Sequence, residues 1–155
     1  MSRREQIRMT AQEIARFLAQ GRTLAVATTG ADGSPHLVAM WYALIDGKIA
    51  FWTYAKSQKA VNLRRDPRLT CMLESGAVYE ELRGVQIHGV ATLIEDAERV
   101  REVGEAIFLR NTSADGQLTP AQLQLIAAQA HKRIVVIVEP TSVASWDHAK
   151  LGGVY

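Results

Sequence analysis

The chain holds a single cysteine, Cys71, among 155 residues. Neither an internal disulfide framework nor a multi-cysteine metal site can be built from it. Its place in the apolar run Leu69-Thr-Cys-Met-Leu73 suits a reducing, cytoplasmic setting. Long hydrophobic runs are also missing. Nothing approaches the ~18 apolar residues of a membrane-spanning helix, and no apolar leader stretch follows Met1-Ser-Arg-Arg-Glu5, so membrane and secretory readings are set aside. Charge of one sign is scarce as well: 18 Lys+Arg against 16 Asp+Glu leave a net +2, too little to imply a nucleic-acid partner unless the basic residues cluster. Gly-x-Gly-x-x-Gly after a strand, a Walker-type loop, His-Glu-x-x-His and a Gly-x-Ser-x-Gly elbow are all absent. What is present is ordinary for a globular chain, 48% hydrophobic and 22% charged, enough for one core and one domain over residues 1–155.

Thr10-Ala-Gln-Glu13 reads as a capping box before a short amphipathic helix carrying Ile14, Phe17 and Leu18, with Gly21 as its stop. Runs at Thr23–Thr29, His36–Ile45 and Lys48–Tyr54 read as an antiparallel meander, broken by Gly30-Ala-Asp-Gly-Ser-Pro35 and by the hairpin pair Asp46-Gly47. A short helix is expected over Ser57–Arg65, ended by Asp66-Pro67. Strands resume at Leu69–Glu74 and Gly84–Ile94, helices start at Asp96 and at Thr119-Pro120, and Arg133–Glu139, closed by Pro140, is the strongest buried-strand signal. Ser142–Trp146 adds a possible final strand. Six or seven strands with short helices in the crossings predict a mixed, predominantly antiparallel sheet, most economically closed into a barrel without edges.

Three clusters carry chemistry. Lys56, Lys59, Arg64, Arg65 and Arg68 surround a strand-to-helix corner where Ser57 opens the helix. Free N–H groups, the helix dipole and ammonium groups there favour a phosphate; paired with neighbouring acids, the same residues make a solvated helix face. The strand Pro35-His-Leu-Val-Ala-Met-Trp-Tyr42 can flank a planar ring through its backbone, or Met40, Trp41 and Tyr42 can be core and interface packing. Ser145-Trp-Asp-His-Ala-Lys-Leu-Gly-Gly153 packs an indole, a carboxylate, an imidazole and an ammonium group into a tail that either crosses a pocket or subunit boundary or simply caps a final strand. His88 reads as a strand-surface residue and His131 as a helix end. No second ligand is spaced to make either a metal site, so no metal is assigned.

Taken in order, Thr23-Leu-Ala-Val-Ala-Thr-Thr29, Ala31-Asp-Gly-Ser-Pro-His36, Ala39-Met-Trp-Tyr42, Lys56-Ser-Gln-Lys-Ala-Val-Asn-Leu-Arg-Arg-Asp-Pro67 and Ser145-Trp-Asp-His148 resemble the split β-barrel flavin and deazaflavin oxidoreductases. This is the pyridoxamine 5'-phosphate oxidase-like, FMN-binding superfamily, and the match is closest to its branch using coenzyme F-420, an 8-hydroxy-5-deazaflavin with a phospholactyl-oligoglutamate tail. The resemblance spans nearly the whole chain. The Lys56–Asn62 block and the terminal Ser-Trp-Asp-His are fairly specific to that branch, whereas the Asp-Gly-x-Pro turn occurs across the superfamily.

The resemblance implies a mainly β homodimer of split barrels with flanking helices and two cofactor sites at the subunit interface. Carried onto this chain, His36, Leu37, Val38, Ala39 and Met40 run beside the deazaflavin ring. Lys56, Ser57 and Lys59 hold the phosphate and the start of the acidic tail, with Ala60 and Asn62 in the same block. Tyr79 and the segment Trp146 to Lys150 approach the pocket, the latter from the other subunit. The implied activity is hydride transfer from reduced coenzyme F-420 to an activated unsaturated small molecule, with no acid-base dyad required and Tyr79, His148 or Lys150 as candidate proton donors. FMN is the alternative cofactor. An FMN-dependent oxidase or reductase of the superfamily, or a non-catalytic flavin or deazaflavin carrier, are the competing functions, although the C-terminus lacks the Arg-x-His signature of the vitamin-oxidising enzyme.

Overall fold

Capping chemistry starts most of the helices. In the computed structural model, which describes residues 2–152, Ser2 and Glu5 form a capping box before the one-turn helix α1 (Arg3–Gln6), and Thr10 and Glu13 form another before α2 (Ala11–Gln20). Ser57 caps α3 (Gln58–Arg65), Asp96 caps α4 (Ala97–Thr112), and Thr119 with Gln122 caps α5 (Pro120–Ala130), where proline occupies the first position at no cost in hydrogen bonds. The first of these boxes went unremarked in the sequence because the helix it opens is too short to show a period.

Seven strands make one sheet in which every pairing is antiparallel: β1 (Thr23–Thr29), β2 (Pro35–Trp41), β3 (Ala43–Ile45), β4 (Lys48–Tyr54), β5 (Arg68–Ser75), β6 (Arg83–Ile94) and β7 (Arg133–Asp147), in the order β2-β1-β5-β6-β7-β4-β3. The expected meander over β1 to β4 is therefore corrected. β2 and β3 sit at opposite edges of the sheet, and only Tyr42 joins them. One residue can bridge the two edges only if the sheet curls on itself, so Tyr42 marks the seam of a half-barrel. The edges are not hydrogen-bonded to each other, so β2 keeps a free edge that full closure would have removed.

The second correction concerns Pro140. It does not end a strand. β7 runs on through it, because the β6–β7 register shifts between His88 and Gly89, leaving Pro140 opposite Gly89 and Ser142 opposite His88. A bulge is one of the few places where a sheet tolerates a residue without an N–H. The extra residue, Thr141, donates its hydroxyl to the His88 carbonyl at 3.1 Å. Asp46 and Gly47 turn the β3–β4 hairpin with φ of 51° and 77°, the left-handed pair that an Asp-Gly turn supplies.

Two apolar clusters cover the two faces of the sheet. Inside the curl, Leu24, Val26, Phe51, Leu69, Cys71, Val85, Ile87 and Val136 pack with Phe17 and Leu18 of α2. On the outer face, α4 and α5 bury Ala50, Trp52 and Val135 beneath Val100, Val103, Ile107 and Ile126. Gly104 lets α4 approach that closely: a Cβ there would lie 2.6 Å from the Trp52 ring. The rest of the outer face is uncovered, and Leu37 (68% exposed), Trp41 (46%) and Met72 stand on it. No helix among the described residues is long and apolar enough to cross a membrane.

Candidate cofactor site

The basic corner forms where β4 hands over to α3. Ser57 is the N-cap of α3; its hydroxyl lies 3.1 Å from that of Thr53, a buried residue near the end of β4. Lys59 folds back and donates to the same Thr53 oxygen at 3.1 Å. Burial pushes the Lys59 ammonium below the usual lysine range, and the nearby charge of Arg133 pushes it further. Lys56 stands exposed at the rim.

The arginines of the cluster are already engaged. Arg64 donates to the Ala55 carbonyl at 2.6 Å and to Glu95 at 2.7 Å. Arg65 donates to the Thr29 carbonyl and, at 3.4 Å, to Asn62. Arg68 clasps Asp66 at 2.7 Å, which holds that carboxyl down at about 2. Among the described residues the two lysines of this cluster thus have no acid partner, while Arg64, Arg65 and Arg68 behave as a structural face.

Ala60 and Asn62 are fully buried. The Asn62 amide donates to Thr28 at 3.0 Å and accepts from Gln58 at 2.9 Å, so it pins α3 to β1 rather than facing an opening. Thr28 pairs with His36 across the β1–β2 ladder, and this brings the start of β2 beside α3. Along β2, His36, Val38 and Met40 turn inward while Leu37, Ala39 and Trp41 turn out. The buried His36 Nδ1 has no hydrogen-bond partner among the described residues, and the outer edge of β2 pairs with no strand.

Tyr79, Trp146, His148 and Lys150 form a separate group. Trp146 lies on Gly84, where a Cβ would come within 2.1 Å of the indole. The His148 ring packs against Tyr79 with centroids 4.4 Å apart and planes inclined at 55°, and its Nδ1 is 3.1 Å from the Tyr79 carbonyl. Lys150 donates to the Arg8 carbonyl at 2.9 Å and to Glu13 at 2.6 Å, which holds the Glu13 carboxyl down at about 2. Trp146 pairs with Gly84 at one end of β6 whereas the α3 corner adjoins Ile94 at the other, a separation of roughly 30 Å at ~3.3 Å per residue. Within one chain, these four residues do not join Lys59. Gly153 lies outside the described residues.

A cleft of about 470 Å³ opens on the outer face at the β6–β7 bulge, lined by Thr29, Pro35, Thr70, His88 and Thr141 among others; Lys56, Ser57 and Lys59 are not in its wall. Among the described residues no three His, Cys, Asp or Glu side chains gather to hold a metal. Thr53 and Arg133 belong to the corner yet went unremarked in the sequence. The available signals were a polar residue inside the apolar run of β4 and a cation immediately before the apolar run of β7.

The pyridoxamine 5'-phosphate oxidase family matches over residues 10–147. The chain belongs to this family. Among solved structures, this pyridoxamine 5'-phosphate oxidase family member is similar to a conserved hypothetical protein from Mycobacterium tuberculosis, with 44% identity over 100% of this chain and 95% of the other and a TM-score of 0.89. The fold is also shared with an F-420 reductase (23% identity, 83% of this chain and 94% of the other, TM-score 0.63). A heme storage protein from Vibrio cholerae has it too (17%, 90% and 97%, TM-score 0.68). Comparison with curated proteins finds no match.

Proposed function

We propose that this member of the pyridoxamine 5'-phosphate oxidase family is a cytoplasmic, homodimeric reductase that uses coenzyme F-420 and acts on activated unsaturated small molecules. The observation that carries the reading is the meeting, across Thr28, of the unpaired β2 edge with a corner whose lysines have no acid partner among the described residues.

The residues present fit the group. The N–H and C=O groups that alternate residues of His36–Met40 leave unpaired on the outer edge of β2 match the polar edge of a planar ring. Lys56, Ser57 and Lys59 hold the phosphate, with Thr53 orienting the Lys59 ammonium. The chemistry that a bound deazaflavin supplies is hydride transfer to an electron-poor carbon. The chain's own contribution is to bind, orient and exclude water, so no acid-base dyad is needed.

The second subunit supplies Tyr79, Trp146 and Lys150 in this reading. The distance between these residues and Lys59 in one chain supports a shared site, as does the uncovered outer face bearing Leu37, Trp41 and Met72. Titration with coenzyme F-420 and with FMN, read by quenching of tryptophan emission, tests the assignment. Saturable deazaflavin binding with weak FMN binding, followed by substrate-dependent oxidation of reduced coenzyme, is the expected result. Preference for FMN moves the protein to the flavin enzymes. Tight deazaflavin binding without turnover of activated alkenes or quinones makes it a carrier.

A further inference from the structure

The strand register sets Ala27, Thr70 and His88 side by side on the outer face of β1, β5 and β6. Ala27 is small, and on the next strand the bulge adds Thr141, whose hydroxyl donates to the His88 carbonyl at 3.1 Å. The face is hollowed at this point, and the hollow is the cleft of about 470 Å³. That volume lies within the roughly 300–1,000 Å³ of small-molecule sites.

The hydrogen bonds of the His88 ring run in one direction. Gln86 Nε2 lies 3.2 Å from His88 Nε2, and an amide nitrogen only donates, so that ring nitrogen accepts. The neutral ring then carries its proton on Nδ1, which donates to Thr70 Oγ1 at 2.9 Å. Among the described residues Thr70 Oγ1 has no second partner, so its own proton is left to donate into the cleft that it lines. Gln86, His88 and Thr70 form a relay in which each bond polarises the next. Among the described residues the cleft wall holds no acid, and its one guanidinium, Arg68, is already clasped by Asp66. Such a wall selects a neutral molecule with an acceptor oxygen for Thr70 and an apolar body to lie against Pro35.

We propose that this cleft binds a small neutral carbonyl compound, with Thr70 donating to the carbonyl oxygen and with His88 and Gln86 strengthening that bond. The cleft and the relay carry the binding by themselves. That the bound compound is the hydride acceptor rests on the function proposed above; the cleft meets β2 at Pro35, where the strand assigned to the ring begins. Hydride added to the β-carbon of a conjugated enone sends the C=C electron pair toward the carbonyl. The enolate oxygen that forms keeps the Thr70 bond, now a charge-assisted one, and a proton from water on the α-carbon completes the saturated ketone.

The test uses the full chain, with cyclohexenone as the probe. In the first arm, without coenzyme, binding is followed by saturation-transfer NMR and the carbonyl stretch of the bound probe by isotope-edited infrared spectroscopy. The wild type binds cyclohexenone more tightly than cyclohexene, which lacks the oxygen. Thr70→Val keeps the shape without the hydroxyl and loses about tenfold in affinity, which Thr70→Ser recovers. The stretch lies lower in the wild type than in Thr70→Val, and His88→Phe falls between, since the hydroxyl stays but its polarising partner is gone. No binding, the result if a second copy of the chain fills the cleft, overturns the proposal, as does equal affinity for the two probes or an identical stretch in Thr70→Val. In the second arm, oxidation of reduced coenzyme F-420 by cyclohexenone is timed. Thr70→Val should lower kcat tenfold or more and Thr70→Ser should restore most of it. Wild-type turnover by Thr70→Val overturns the assignment of the bound compound as hydride acceptor. If the first arm succeeds but the coenzyme does not bind, the cofactor reading fails and the carbonyl site stands.

Discussion

Tyr42 and Arg110 donate to the same oxygen. The Tyr42 hydroxyl lies 2.6 Å from the Leu18 carbonyl and Arg110 Nη2 lies 2.6 Å from it, while the guanidinium carbon stacks 4.5 Å from the Tyr42 ring centroid. Arg110 also reaches the Ala19 and Gly21 carbonyls at 3.0 and 2.6 Å. A side chain from α4 thus caps the C-terminal end of α2, and the seam residue of the half-barrel supports it. The carbonyls that a helix end leaves unpaired are satisfied by a positive charge where the helix dipole favours one.

Removing Arg110 as Arg110→Met leaves those carbonyls unpaired and is expected to cost about 2–3 kcal/mol; Tyr42→Phe is expected to cost about 1–2 kcal/mol. The double variant should fall short of the sum, since each partner's bond to Leu18 depends on the other's position. Urea unfolding of the four proteins measures this, and strict additivity would refute the coupling.

The proposed sharing of the site between two subunits predicts complementation. A chain carrying Lys56→Ala with Lys59→Ala and a chain carrying Trp146→Ala with Lys150→Ala should each be inactive as homodimers. Refolded together they form heterodimers holding one intact site, so random pairing restores roughly a quarter of the wild-type sites. Activity that stays at the single-variant level places both halves of the site in one subunit or removes Trp146 and Lys150 from it.

Gly84 controls the position of Trp146. A methyl group at residue 84 would overlap the indole, so Gly84→Ala should dislodge it, shifting tryptophan emission to the red and weakening cofactor binding severalfold with the strands intact by circular dichroism. Unchanged emission would show that the indole has room to slide.

Protonation of Glu13 should release the tail. Its carboxyl is held at about 2, against an ordinary 4.5, first by Lys150 and then by the Thr10 N–H. A depressed carboxylate contributes stability that is full above the unfolded value and is lost as pH falls through the folded one, so the Lys150 tether weakens between pH 4.5 and about 2. Hydrogen exchange at His148–Leu151 should rise over that window, and Glu13→Gln should show the faster exchange already at neutral pH.

Cys71 is fully buried and its thiol is pushed up to about 12, so it holds almost no thiolate at neutral pH. Maleimide labelling of the native protein should be negligible and should appear only on unfolding.

The strands at Thr23–Thr29, Lys48–Tyr54 and Gly84–Ile94 were legible because apolar runs and turn residues bound them on both sides. Local pattern could not reveal that β2 and β3 part company at Tyr42, since both flanking segments favour extended backbone and only the curl of the whole sheet separates them. Pro140 misled for the opposite reason. Its missing N–H is decisive locally, but the bulge opposite His88 and Gly89 is set by a strand some fifty residues earlier. In the site, Lys59 and Ser57 were legible as a motif. Arg133 was not, because it reaches the corner only through cross-strand pairing with Tyr54.

The free edge of β2 has a consequence for handling the protein. A row of unpaired main-chain groups beside Leu37 is a template for any other extended chain, and beyond Pro35 at its first position this edge has neither a further proline nor an inward-pointing charge of fixed sign to blunt it. Ligand on that edge would therefore act as a solubility device as well as a reagent. Preparations stripped of it should show concentration-dependent self-association, with loss of soluble protein, that added ligand reverses.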